Sequence, residues 1–473
     1  MTKAIVVGSG PNGLAAALTL AAAGVEVTVL EAQPWLGGGA RTVEATLPGL
    51  LHDECSGFHP LAQDTIFSKQ FDLNAYGLEW AWPEVQFAHP LDGGRGAAVR
   101  RSVAETAELL AGDARAYERI FGPLTNQFNA IAREFLQPML HIPNHPFALA
   151  RFGAYAAMPA SLLARRWSSD EARALWSGVA AHAFRPLNSF MSSAIGVALG
   201  TAAHAFGWPV AVGGSGAISE ATTKMLKERG VVLETSVRVT DYKQIQDADV
   251  VLLDTSPEGA MNILGDKLPN RVARAYRRFE HGPGSFQVSF AVEGGIPWTH
   301  EDSRLAGTVH LGGTFEQIAD AEKQIWQGKM PEKPFVLLGQ QSLADPSRAK
   351  NNIHPIDAYA HVPAGYEGDA TEAIIAQIER FAPGFRDRVQ TFSVRSTTKI
   401  ASMNANFVGG DITTGANTPR QLVFRPRVAL DPYSTGVRGV YLCSAATPPG
   451  AGAHGMSGWH AAQSALKHLG LVR

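Results

Sequence analysis

The stretch that decides the fold is Lys3 to Glu44, KAIVVGSGPNGLAAALTLAAAGVEVTVLEAQPWLGGGARTVE. Ala4 to Val7 is a short apolar run, enough for one buried parallel strand. Gly8, Gly10 and Gly13 follow as G-x-G-x-x-G. In that pattern the first glycine permits a tight turn and the second lets backbone approach a pyrophosphate. The third lets a helix pack close to the sheet. Pro11 suits the first turn of that helix, where its missing N–H costs nothing. Leu14 to Ala23 is rich in Ala and Leu and predicts a helix, which Gly24 is placed to end. Val27 to Leu30 predicts a second strand, closed by Glu31, where an acid accepts hydrogen bonds from a ribose. The helix N-terminus offers free N–H groups and a positive dipole end to phosphates. Strand, glycines, helix, strand and acid in this order predict a doubly wound α/β unit that holds a dinucleotide.

Composition limits what that unit serves. The chain has 473 residues, 45% hydrophobic and 18% charged, with formal net charge −2. That length allows two or three domains. A basic excess of the kind nucleic acid needs is missing, so no nucleic-acid partner is expected. The two cysteines, Cys55 and Cys443, give neither a disulfide scaffold nor metal-ligand spacing. They suit a reducing cytoplasm, and no metal is expected. The sequence enters a strand almost at once, leaving no room for a signal peptide.

Between Arg185 and Glu220 no Asp, Glu, Lys or Arg occurs, yet Asn188, His204, Pro209 and a Gly-rich second half argue against a membrane span. A buried helix ending at a Trp208–Pro209 turn is the expectation. Upstream, LARFGAYAAMPASLLARRW sets Arg165, Arg166 and Trp167 beside apolar residues. That pattern fits an amphipathic helix facing a core, or a peripheral contact with a membrane surface.

Nucleotide-like architecture returns further along. After Gly213–Gly214–Ser215–Gly216, a helix is predicted over Ile218 to Arg229, then a strand pair in VVLETSVRV and a buried strand in ADVVLLDTSP. Near the end, a strand from Val440 to Cys443, a Gly/Pro loop and a helix from Met456 repeat the pattern. These separated blocks resemble, end to end, the FAD-dependent phytoene desaturase-like oxidoreductases, within a superfamily that includes the amine oxidases. The blocks are GSGPNG with Glu31 and the glycines after it, WPVAVGGSGAISEATTKMLKERGVVLETSVRV, and GVYLCSAATPPGAGAHGMSGWHAA.

The resemblance implies a Rossmann-like FAD-binding domain built from 1–70, 206–275 and 408–473. An interleaved α+β substrate domain, 71–205 and 276–407, goes with it. FAD would be bound without a covalent bond. Gly8, Gly10, Pro11, Asn12 and Gly13 would cradle the pyrophosphate, with Glu31 and Ala32 at the adenosine ribose and the Val237 backbone at the adenine. Gly38, Gly39, Ala40 and Arg41 would pass under the diphosphate and flavin. Ser444, in the loop after the last strand, stands where relatives carry a glycine. Gly455 and Met456 would meet the flavin's N1–C2=O edge.

The resemblance also implies a reaction. Amine oxidases carry a lysine near flavin N5; here its place falls on Gln287, and Met456 stands where an aromatic cage residue would be. Both departures favour a dehydrogenase or desaturase acting on an apolar, isoprenoid or lipid-like small molecule. Oxygen, a quinone or a carrier protein would reoxidise the flavin. A redox-neutral double-bond isomerase, an amine oxidase and a non-catalytic flavin-binding partner are the alternatives. His59 and His454 are the acid–base candidates, each also readable as a structural hydrogen-bonding residue. His310, His361 and Asp411 read as solvated loop residues.

Overall fold

The computed structural model describes residues 2–472. Its first sheet has five parallel strands, β1 (Lys3–Val7), β2 (Glu26–Leu30), β3 (Val232–Glu234), β4 (Val250–Leu253) and β5 (Val440–Leu442), in the order β5-β4-β1-β2-β3. Helix α1 (Pro11–Ala22) crosses from β1 to β2, and α2 (Gly216–Glu228) leads into β3. Helix α3 (Met456–His468) packs along α1. A Cβ on Gly458 would overlap the Asn12 carbonyl oxygen, so only glycine lets α3 approach α1 this closely.

Two elements differ from expectation. VVLETSVRV is one short strand, β3, rather than a pair; Ser236 takes a left-handed conformation (φ 61°) and turns the chain so that the Val237 N–H donates to the Glu31 carbonyl at 2.8 Å. The 149–167 stretch is two helices, Pro146–Ala156 and Ala160–Ala164, broken at Pro159. The charge-free stretch beyond Arg185 does form a buried helix, Ala194–Ala205. Among the described residues no helix is long and apolar enough to cross a membrane.

The second sheet has seven strands. In spatial order they are Val389–Arg395, Gly284–Glu293, Ile353–Val362, Val336–Gly339, Ala306–Leu311, Val85–Pro90 and Gly96–Val99. Pairing is antiparallel except between Ala306–Leu311 and Val85–Pro90. Because side chains alternate along a strand and opposed residues share a face, the register sorts the sheet into two surfaces. Phe286, Val288, Phe290, Ala358, Ala360 and Val309 face helix Thr371–Phe381 and form an apolar core. On the other face, Gln287 opposes Tyr359, Tyr359 opposes Leu337, and Leu337 opposes His310. Ser285 opposes His361 on that same face. Helix Asp170–Ala181 covers its far end.

The resulting α/β architecture, a parallel Rossmann-like sheet beside a separate mixed sheet, is the expected fold class. His310 and His361 are strand residues with no solvent exposure, and Asp411 is equally buried. The solvated-loop reading of these three is therefore corrected. Asp411 is held by N–H donors from Gly282, Thr413 and Gly415. Hydrophobic neighbours, not local sequence, bury the two histidines.

Candidate active site

At the C-terminal end of β1 the chain turns through Gly8 (φ 99°) into α1, whose N-cap, Gly10, has no side chain to occupy the helix's free N–H groups. Instead a side chain from β4's end reaches in: Asp254 Oδ2 accepts the Gly13 N–H at 3.0 Å. A Cβ on Gly10 would stand 2.6 Å from that oxygen. The Asp254 carboxyl thus packs against both glycines, and a side chain at Gly10 would displace it. Burial pushes the Asp254 carboxyl up to about 7. Glu31 is tied down by three donors, Ser9 N–H (2.8 Å), Ser9 Oγ–H (2.7 Å) and Gln33 N–H (2.8 Å). Ala32, half-buried, follows it in the chain, and the Val237 N–H bonds the Glu31 carbonyl. The donor and acceptor set at this loop fits a dinucleotide.

Gly38 lies directly on the loop, since a Cβ there would stand 2.8 Å from Gly10 Cα. Ala40 is fully buried, and its carbonyl accepts from Ser219 Oγ at 2.9 Å. Arg41 pairs with Glu54 at 2.7 Å and lies over Trp35, so its charge is already satisfied. Gly38, Gly39, Cys55, Gln287, Met403 and Phe407 line a small, partly open cavity of about 20 Å³. Gln287 therefore reaches the glycine-lined side of the molecule from the second sheet, and its Oε1 is buried without a protein partner. Burial pushes the Cys55 thiol up to about 12, leaving it without thiolate reactivity.

The last glycine-rich loop is ordered by its own side chains. Ser444 is buried, and its Oγ accepts the Ala446 N–H at 3.3 Å. Gly455 (φ 70°) caps α3, and the Met456 N–H donates to His454 Nδ1 at 3.1 Å. Burial lowers His454 to about 4, so its neutral ring acts as a helix cap. His59 Nε2 sits 2.9 Å from Ser215 Oγ, and burial lowers it to about 3. Both histidines are buried and neutral, and both hold backbone segments in place.

Sequence reasoning missed what joins the two sheets. Arg348, fully buried, donates to Asp53 at 2.5 Å, to Asp345 at 3.2 Å and to the Ala211 carbonyl at 2.7 Å. Asp53 and Asp345 in turn accept N–H groups from Ser215 and Gly213, which precede α2. Burial, opposed by Arg348, pushes the Asp53 carboxyl up. Two acids and an arginine dispersed over 295 positions carry no local pattern, so only the fold reveals them.

Comparisons with known proteins bear on the fold. Residues 6–66 match the NAD(P)-binding Rossmann-like domain. The chain is 23% identical to the mouse pyridine nucleotide-disulfide oxidoreductase domain-containing protein 2, over 98% of this chain and 93% of that protein. Among solved structures, a putrescine oxidase superposes with TM-score 0.60 at 17% identity, covering 99% of each chain. A putative protoporphyrinogen oxidase from Exiguobacterium sp. 255-15 gives 0.54 at 14% identity, covering 99% and 98%. The fold, a parallel Rossmann-like sheet beside a second sheet, is shared with both of these structures. By their names, these similar proteins are oxidoreductases.

Proposed function

We propose that the chain is an FAD-dependent oxidoreductase that dehydrogenates or desaturates a small molecule with an apolar reacting end. The observation that carries this reading is the meeting of two features across Gly38–Gly39: the glycine loop with Glu31 on one side, and Gln287 with its unpartnered carbonyl on the other. The FAD domain would comprise 1–70, 206–275 and 408–473, interleaved with the substrate domain.

The protein's part follows from its residues. The N–H groups of the glycine loop bind the diphosphate, and Glu31 accepts from the ribose. When bound, FAD supplies a two-electron acceptor that takes hydride at N5. Ile400, Met403 and Phe407 give the reacting bond an apolar wall and keep water out. Gln287 orients a donor or a water through its carbonyl but carries no charge. The lack of a lysine there supports dehydrogenation over amine oxidation. Oxygen, a quinone or a carrier protein would take the electrons onward.

A peripheral membrane contact belongs to the same proposal. Ile142, Phe147 and Phe190 are 92%, 89% and 59% exposed; Phe147 opens the helix pair that runs towards Arg165 and Arg166, and Ile142 and Phe190 lie on loops outside it. Anionic vesicles should retain the protein in a flotation assay, and the Phe147→Ser variant should be released.

The central test is direct. Purified protein should be yellow, and acid precipitation should release all of the colour as FAD. Apolar alkenes should then reduce a dye acceptor, while amines in air yield no peroxide. Colourless protein that takes up no FAD, or robust amine-dependent peroxide, overturns the reading.

A further inference from the structure

Four arginines are buried among the described residues: Arg185, Arg348, Arg395 and Arg425. A guanidinium out of water is costly unless an acid or another anion sits beside it. Arg348 has Asp53 and Asp345. Arg395 lies at the glycine-lined cavity with Glu54 as a charged neighbour. Arg185 and Arg425 make no ion pair with any described residue, and the bonds they do make all go to neutral oxygens.

Arg185 Nη1 donates to the Asn417 carbonyl at 2.8 Å and to the Phe190 carbonyl at 3.4 Å. Arg425 donates to the Gln421 carbonyl at 2.9 Å, to the Ala445 carbonyl at 3.1 Å and, from Nη2, to Asn417 Oδ1 at 3.3 Å. Asn417 thus joins the two arginines. Burial lowers Arg185, and no acid offsets it. Burial lowers Arg425 to about 10, and Asp411 raises it in part. Both arginines therefore stay charged at neutral pH. Asp411 already accepts N–H groups from Gly282, Thr413 and Gly415. One acid against two arginines leaves one positive charge over.

What Arg185 leaves unused has a definite shape. Its Nε is buried without a partner, and its Nη2 makes no bond. Nε–H and Nη2–H point the same way from one edge of the guanidinium plane, the edge that meets both oxygens of a carboxylate. The Trp326 ring, 5.8 Å from the guanidinium carbon, supplies only a weak cation–π attraction. Arg185 is 7% exposed, so it is not sealed from solvent. It also borders the proposed reaction site. Phe184, the residue before it, stacks on Tyr359 at 6.3 Å, and Tyr359 opposes Gln287 across the strands. Two aromatic rings thus connect the neighbourhood of Arg185 with Gln287, at the glycine-lined cavity.

We propose that Arg185 binds the carboxylate of the substrate through its Nε and Nη2 edge, with Arg425 as a second positive charge behind Asn417. The substrate class is then an apolar carboxylic acid, whose apolar part lies along Phe184 and Tyr359 towards Gln287. A carboxylate's single charge balances the one left over. That the ligand is the substrate rests on the FAD reading above; the carboxylate site rests on the arginines alone.

Titration calorimetry on the protein as purified tests this without turnover. Decanoate should bind at least about tenfold more tightly than decanol or acetate. Arg185→Gln should erase the preference over decanol while leaving the affinity for decanol unchanged. Arg185→Lys, charged but without the two-pronged edge, should fall between. No preference for decanoate over decanol in the parent protein overturns the site, and so does a preference that persists undiminished in both folded variants. Acetate or inorganic phosphate binding as tightly as decanoate marks a free-anion site and overturns the assignment to a substrate. Flavin content is read separately, from the colour released by acid. Protein that holds no FAD yet prefers decanoate overturns the flavin reading and leaves the carboxylate site standing.

Discussion

The glycine loop and the polar face of the second sheet are both buried and both rich in polar atoms, yet they are finished differently. At the loop, both carboxyls are paired within the protein: Glu31 receives three donors, and Asp254 accepts the Gly13 N–H. On the sheet face, Ser285, Gln287, His89, His310 and His361 each keep one atom free. Saturated groups fix a geometry before any ligand arrives, which suits a charged cofactor whose diphosphate must be met by rigid N–H groups. Free lone pairs cost stability in a dry interior, and each calls for a partner that the protein's own side chains do not supply.

Substitutions can break that contrast or sharpen it. The largest effect is expected from Gly458→Ala, whose methyl would overlap the Asn12 carbonyl and force α3 off α1. A loss of about 3 kcal/mol should appear in denaturant unfolding. Glu31→Ala removes the acceptor of three protein donors and, on the proposed reading, of the ribose. FAD binding, titrated by flavin fluorescence, should weaken by about 1–3 kcal/mol, and unchanged affinity would mean that the acid does not face the cofactor.

Asp254 gives the loop a pH signature. Its carboxyl titrates at about 7 in the folded protein against 3.8 ordinarily, so the folded state holds a proton the unfolded chain has already lost. Its contribution to stability is therefore present below about pH 4 and fades as pH rises through about 7. The melting temperature of cofactor-free protein should show that decline, and Asp254→Asn should flatten it. The smallest effect belongs to the sheet face. Ser285→Ala deletes a buried hydroxyl without a protein partner and should raise stability by up to about 1 kcal/mol. A clear loss instead would show that this atom is bonded after all, and the contrast would fail there.

The loop was legible in the sequence because its parts lie within one stretch, Lys3 to Glu44, and each residue type has its own physical reason to be there. β1, α1, β2 and the start of α3 fall where local pattern puts them. The sheet face was not legible. Whether a strand residue faces core or site depends on register, and register here is set by pairings such as Val309 with Ala88, far apart in sequence. His310 in AGTVHL and His361 in IDAYAHVP alternate with apolar residues, a period-2 signal that could have moved them from loops to strands. Nothing local could have shown Arg348 seated between Asp53 and Asp345. Gln287 was placed on the N5 side by resemblance alone, and the cavity it shares with Gly38 and Gly39 is a feature of the tertiary structure.

The strand order of the first sheet has a consequence for how the protein is made. β1 lies at the centre, flanked by β2, which leaves the ribosome directly after it, and by β4, some 240 residues later. At typical synthesis rates of about 5–20 residues per second, one edge of β1 waits roughly 10–50 seconds for its neighbour. β5 and α3 arrive later still. Through that interval an apolar strand with open hydrogen-bonding groups sits on a growing chain, a template for wrong pairing. The nascent protein is accordingly expected to need chaperone shelter until β4 is out. Ribosome-bound chains halted before residue 250 should be protease-sensitive in the Lys3–Leu30 segment, and chains released beyond α3 should be protected there.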